Sequence, residues 1–413
     1  NQRAMRISAE ETTEKERIFP LSSGRDEKGT LENMHITMNN SEILNNSVLR
    51  VDLGALAGNV ERLLNTLGED TVLIPVLKNN AYGLGLEQVA GVLARFSRIT
   101  LVAVAQVSEG AVLRGSGWDR EILLLGGVPP HLLAKAVELD LTLSVGRLGL
   151  IPTLGELARA QGRRVKLQIK VETGLHRTGV APGEELAQVL EEWRQWKDQV
   201  EITGAFSHFA DLENETRTQG QYQAFLEGCA QLEQGGMVLP LKHMSASAAS
   251  EYAPQYQLGG VRLGRRLYMD HPTKPLGDIQ EVATWQCWIT NLRQLRKGDD
   301  VGYGGHVKLE RDALVATICV GYGDGLDPQL VGVHGPVLAG GKRCPLLACC
   351  MDQTLVDVTG TDCQVGDPVT LFGWDEAGNF LPSQEVALLI GEDEGCGLTS
   401  RLGTRVARVY TQA

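Results

Sequence analysis

Between residues 72 and 268 the chain repeats one pattern eight times, a short apolar run followed by a stretch long enough to cross back over it. The runs lie at 72–78, 100–106, 121–127, 141–146, 165–172, 202–209, 241–247 and 261–268, and segments such as 148–161, 184–196 and 218–233 carry apolar residues at helical spacing. Strands joined through helices lie parallel, because antiparallel neighbours need only a tight turn. Eight units in series predict a (β/α)8 barrel of the TIM type; a doubly wound open sheet is the other arrangement the pattern allows. Beyond about residue 280 the texture changes. Short apolar runs at 282–292, 315–320, 335–339, 346–348, 354–358 and 369–372 are separated by Gly, Asp and Pro turns, which predicts an all-β C-terminal domain. One short helix near 384–390 and a last strand at 405–410 complete it.

The fold class expected is therefore α/β plus all-β. Residues 1–46 are polar and charge-rich and read as a flexible leader, 47–280 as the barrel, and 281–413 as the β domain. A strand at 48–53 and an amphipathic helix at 56–67 open the barrel segment. The net charge of −12 leaves no basic footprint for nucleic acid, and no apolar run reaches membrane-spanning length. The eight cysteines contain no CxxC pair, which fits reduced thiols in a cytoplasmic protein better than a disulfide or metal framework.

A barrel carries its chemistry at the C-terminal ends of its strands. Read in order, those ends offer Lys78, Gln106, Gly126-Gly127, Ser144, Lys170 with Glu172, His208, Ser245-Ala-Ser247, and Arg262 with Gly264. Burial lowers a lysine's pKa and makes its amine a nucleophile toward carbonyl compounds. Tyr82, Gly83 and Gly85 follow Lys78 closely enough for a hydroxyl and bare backbone to meet a phosphate beside that amine. Spacing alone favours a plainer reading, in which Lys78 snorkels from a strand end and His208 is a satisfied core histidine, while Ser247 taken alone is as readily a turn residue as a phosphate ligand.

In combination the motifs are more specific. Val76-Leu-Lys-Asn-Asn-Ala-Tyr-Gly-Leu-Gly85, Lys170-Val-Glu-Thr-Gly-Leu-His-Arg177-Thr-Gly, Ser207-His-Phe-Ala-Asp211, His243-Met-Ser-Ala-Ser247, Val261-Arg-Leu-Gly264, Val301-Gly-Tyr-Gly-Gly305, Val320-Gly-Tyr-Gly-Asp-Gly325 and Cys350-Met-Asp-Gln353 stand in one order. In that order they resemble the alanine racemases, barrel-type enzymes dependent on pyridoxal 5'-phosphate, over nearly everything from Val48 to Tyr410. The resemblance implies an isomerase that interconverts L- and D-alanine by a two-base mechanism. Lys78 holds the cofactor and serves one face of the substrate, while Tyr303 serves the other from the second subunit of a homodimer. Tyrosine's ordinary pKa, near 10, must be lowered by neighbouring cations for that role. Tyr82, Ser247 and Gly264 become phosphate ligands, and His208 lies against the cofactor ring. Arg262 partners the pyridine nitrogen. Arg177 and the Met351 backbone amide, the latter again from the second subunit, take the substrate carboxylate. Lys170 matches a lysine that is often carbamylated in this family.

Two other enzyme or binding classes fit less well. Arg262, Arg177 and the Val-Gly-Tyr-Gly-Gly loop disfavour a barrel-type amino-acid decarboxylase, and the β domain with Tyr303 disfavours a single-domain cofactor carrier. Gly321-Tyr-Gly-Asp-Gly325 is not read as a nucleotide loop, because no helix follows it. The chain also departs from the family pattern. Asn79-Asn80 and Leu84 replace the usual Ala-Asp and His, and Cys396 occupies the place of a tyrosine that walls the substrate pocket. A cysteine there implies a roomier pocket, open to serine or a broader range of amino acids.

Overall fold

The structure is a computed structural model, and it describes residues 18–25, 31–37, 44–271, 277–305, 307–392 and 395–411. Eight parallel strands form the barrel: Val72–Pro75, Leu101–Val104, Glu121–Leu124, Thr142–Val145, Val165–Lys170, Val200–Phe206, Leu241–His243 and Gly260–Leu263. The last pairs with the first from Gly260↔Val72 to Leu263↔Pro75, and a parallel bridge between Val76 and Ala103 closes the first onto the second. Pro75 has no N–H to give, so the ladder passes to the next two residues. Val76 donates to the Leu263 carbonyl and Leu77 to the Ala103 carbonyl, each at 2.7 Å. The backbone is thereby held between its two neighbours up to the residue before Lys78.

The helix Leu53–Thr66 shows why this sequence folds locally as it does. Asp52 caps it, accepting from the Ala55 N–H at 2.8 Å, and Leu56, Val60, Leu63 and Leu64 form one buried face. Asn59 lies on that face as well. Its amide donates to the Leu267 and Gln280 carbonyls and its oxygen accepts from the Gln280 N–H, so the buried polar group is fully used.

The strand Ser47–Asp52 does not join the barrel segment in which the sequence places it. It lies in the nine-stranded C-terminal sheet, antiparallel to Ala283–Leu295 and parallel to Ala407–Thr411. The barrel is complete with eight strands, and the edges that satisfy this one come from residues far away in the chain. Other differences are local. The expected all-β region also holds the helices Gln329–Gly332 and Cys396–Arg401, each too short to show a helical period. Within the expected flexible leader, Ile18–Arg25 pairs antiparallel with Leu31–Thr37, and the remaining residues up to 43 lie outside the described ones.

The two halves meet at the residues after Lys78. Gly83 has φ 85°, and a Cβ there would overlap the Thr399 carbonyl oxygen; one on Gly85, at φ 105°, would overlap the Tyr410 hydroxyl. Arg408 donates to the Gly83 carbonyl at 3.0 Å, and the Asn79 amide group donates to the Ser400 carbonyl at 3.1 Å. Gly83→Ala combines a backbone clash with a left-handed φ, so it is expected to lower unfolding stability by about 3 kcal/mol. Denaturant titration measures this, and a loss below about 1 kcal/mol would contradict the packing described.

Candidate active site

At the C-terminal mouth of the barrel lies a cavity of about 630 Å³, lined by Lys78, Tyr82, Lys170, Arg177, His208, Ser247, Arg262, Gly264 and Arg265 among others. Five of its lining side chains are cations and only one, Asp211, is a carboxylate. A cavity so charged is costly to close without anions, so it is suited to a ligand carrying phosphate and carboxylate groups.

Lys78 enters from the first strand, and the residues behind it take an uncommon path. Asn79, Asn80, Ala81 and Tyr82 all have positive φ, between 52° and 58°, a single left-handed turn. Each such residue costs about 1–2 kcal/mol, less for Asn, and the turn persists only because its surroundings hold it. The Glu109 carboxylate accepts the Asn79 N–H on one oxygen and the Ala105 and Gln106 N–H groups on the other. The Asn80 side chain accepts from the Leu86 N–H at 2.8 Å. The turn carries Tyr82 back beneath Lys78, whose amine lies 5.8 Å from the centre of the Tyr82 ring. A Cβ on Gly264 would overlap the Tyr82 hydroxyl, so the glycine lets a phenol and a bare amide meet at one point. Ser247 is there too, its hydroxyl accepting from the Gly264 N–H at 3.3 Å. Hydroxyls and amides at one cationic spot are what a phosphate needs.

On the neighbouring last strand stands Arg262, 3% exposed. Its guanidinium donates to the Ser207 and Met244 carbonyls at 2.8 and 2.9 Å, to His208 Nδ1 at 3.0 Å and to His243 Nδ1 at 2.6 Å. Guanidinium nitrogens only donate, so both imidazoles must present a lone pair at Nδ1 and carry their proton on Nε2. His243 passes that proton's bond on to Gln168 Oε1 at 2.7 Å. Burial, then Arg262, pushes His208 down to about 3 and His243 well below its usual range, so both rings are neutral. Burial followed by Arg177 brings Arg262 down to about 9, still protonated at neutral pH. Lys170 falls to about 8 through burial, then Arg177 and Arg262, against a weaker opposing pull from Glu172.

The cavity thus gathers Lys78, Tyr82, Arg177, His208, Ser247, Arg262 and Gly264. It does not include Tyr303 or Met351, which stand on the β domain, 84% and 53% exposed. Nor does it include Cys396, and the wider pocket expected there is absent: Cys396 is buried beside Tyr268, whose fully buried ring packs 5.6 Å from that of Tyr82. Sequence reading missed Glu109 and the His243–Gln168 relay. The three-residue spacing of Gln106 and Glu109, a capping box, was the available signal for the first. His243 stood inside a quoted motif with no role given to it.

The model "Alanine racemase, N-terminal domain" matches residues 51–272 and "Alanine racemase, C-terminal domain" matches 282–410. An alanine racemase of Desulforamulus reducens is 32% identical over 369 residues, 87% of this chain and 97% of that protein. One from Clostridium tetani is 30% identical over 368 residues, covering 87% and 94%. Among solved structures, alanine racemase from Streptomyces coelicolor A3(2) superposes with TM-score 0.84 at 27% identity, over 90% of this chain and 100% of that one. The Bacillus anthracis enzyme, solved with bound L-Ala-P, gives 0.82 at 26% identity over 89% and 95%.

The neutral imidazoles have a consequence for stability. His208 titrates at 6.5 when unfolded and about 3 when folded, so between those values only the unfolded chain holds the proton. Stability is therefore full above pH 6.5 and is lost as pH falls from there toward 3. His208→Gln should flatten the dependence of melting temperature on pH over that window; an unchanged slope would mean that His208 is not held neutral by the fold.

Proposed function

The chain belongs to the alanine racemase family, and on that footing we propose that it interconverts L- and D-alanine with pyridoxal 5'-phosphate, as a cytoplasmic homodimer whose active sites are shared between subunits. The observation that carries this reading is one cationic cavity with Lys78 at the end of the first strand and a buried arginine, Arg262, on the last. In the same reading the chain divides into a leader to about residue 46, a cofactor-binding barrel segment from 47 to 280 whose opening strand, Ser47–Asp52, lies in the other sheet, and a β domain from 281. Among the described residues no helix is long and apolar enough to cross a membrane.

The residues present suit the cofactor. Its phosphate would lie between Tyr82, Ser247 and the backbone at Gly264, and its ring between Lys78, His208 and Arg262. Bound there, it supplies an electron sink for the substrate's α-carbon. Arg262 tempers that sink. It keeps its proton at working pH, its terminal nitrogens bonded to acceptors, so it would donate a hydrogen bond to the ring nitrogen and leave that nitrogen neutral. A weaker sink favours return of the proton to the carbon it left, which is racemisation rather than transamination. Lys78 Nζ moves the proton on one face of the substrate, and Tyr303 Oη of the partner subunit moves it on the other. Arg177 forks onto the substrate carboxylate, assisted by the amide of the partner subunit's Met351. Lys170, lowered to about 8, has enough neutral amine near neutral pH to take up carbon dioxide. The carbamate would replace a cation that repels Arg177 by an anion that orients it. The high exposure of Tyr303 and Met351 supports their service to a second copy, where they would be covered.

Two outcomes are expected. Cofactor added to the apoprotein should give a visible absorption band, and borohydride should then fix the cofactor's mass on Lys78; a colourless protein would sink the assignment. Tyr303→Phe should slow solvent-deuterium exchange at the α-carbon of one enantiomer by roughly a hundredfold or more while sparing the other, since Lys78 still serves its own face. Equal, small losses for both enantiomers would remove Tyr303 from the chemistry.

A further inference from the structure

The Gly321-Tyr-Gly-Asp-Gly325 motif has no part in the cavity, yet its glycines are tightly constrained. A Cβ on Gly321 would overlap the Cys350 carbonyl oxygen and stand 2.5 Å from that of Met351; one on Gly323 would lie 3.0 Å from the Met351 oxygen and 3.2 Å from an Arg405 nitrogen. The motif is bare because the Met351 peptide lies directly on it. Two backbone bonds fasten the pair, Tyr322 N–H to the Cys350 carbonyl at 3.0 Å and Gly323 N–H to the Met351 carbonyl at 2.9 Å. Those bonds occupy the carbonyls on either side of the Met351 amide. The amide itself makes no hydrogen bond among the described residues.

Arg405 spans the two segments. Its Nε lies 3.2 Å from Asp324 on the motif and its Nη1 2.6 Å from Asp352 on the hairpin, next to Met351. Asp324 is buried and its other oxygen accepts the Gly321 N–H at 2.9 Å, so one carboxylate ties the turn to itself and to Arg405. We propose that Arg405 is a positioning residue for the substrate carboxylate: with the Gly321–Gly325 motif it clamps the 350–353 hairpin so that Met351 presents its unengaged amide to the other subunit's site. This rests on the reading that Met351 serves its neighbour, and it assigns work to a motif and a cation outside the cavity.

The clamp acts on binding geometry, so its loss separates KM from kcat. In the dimeric holoenzyme Arg405→Gln, and independently the exposed Asp352→Asn, should raise the KM for alanine about tenfold, the size of one hydrogen bond to a charged group, with kcat and cofactor affinity within about twofold. Arg405→Lys, a single point charge in place of a fork, should rescue only in part. Hybrid dimers then locate the effect. Wild type paired with Lys78→Ala/Arg405→Gln has one working site that faces the altered clamp, and its KM should be raised. Lys78→Ala paired with Arg405→Gln has one working site that faces an intact clamp, and its KM should be normal. A lowered melting temperature with unchanged KM in both variants would overturn the clamp. A rise confined to dimers in which Lys78 and the altered Arg405 share a chain would overturn instead the across-interface reading of Met351.

Discussion

A left-handed turn of four residues is an uphill conformation for an L-amino-acid chain, and the one behind Lys78 governs much of the molecule around it. Nothing local to the turn stabilises it enough. Its N–H at Asn79 goes to Glu109 from the next barrel unit, and its far end is gripped by the carbonyls and side chains of residues 399–410. The two glycines that close it are fixed by approach as much as by φ, since each faces an atom of the C-terminal segment with no room for a methyl group. The Lys78 amine, the Tyr82 phenol and the bare backbone at Gly264 are brought together by one strained turn, and two domains supply the restraint that keeps it strained.

Electrostatics extends the same economy of means. The cavity holds a cationic excess, and the two imidazoles bonded to Arg262 remain neutral because they are buried and Arg262 can only donate to them. Each proton in the relay from Arg262 through His243 to Gln168 has one allowed position. A guanidinium whose two terminal nitrogens are held by acceptors is a fixed donor rather than a variable charge. That distinguishes it from a carboxylate in the same place, whose proton would come and go with the chemistry.

Much of this was legible in the sequence, for reasons that differ by element. The eight barrel runs stood out because a parallel strand buried on both faces must be apolar throughout, and all eight appear as strands in the structure. The convergence of strand-end residues was legible because a barrel sends its strand ends to one rim; Lys78, His208 and Arg262 line one cavity there. The strand Ser47–Asp52 was not, since its partners lie at 283–295 and 407–411 and pairing at that separation leaves no local mark. The left-handed turn was equally hidden. Asn79-Asn80 tolerate it, but Ala81 and Tyr82 adopt it only under tertiary restraint. The role inferred for Cys396 did not show because position in a motif carries no information about which way a side chain is buried, and Cys396 is buried near Tyr268 and outside the cavity lining.

The placement of Ser47–Asp52 also sets an order of events during synthesis. A ribosome delivers this strand long before its parallel neighbour, Ala407–Thr411, so one edge of the strand stays open until that neighbour emerges. The barrel strands can pair as they emerge, whereas the sheet that holds Ser47–Asp52 cannot be finished until residues 407–411 follow. Those same residues grip the turn behind Lys78. A chain that lacked them would therefore have a barrel without a settled Lys78, so the position of that amine depends on a pairing made between the two halves of the chain.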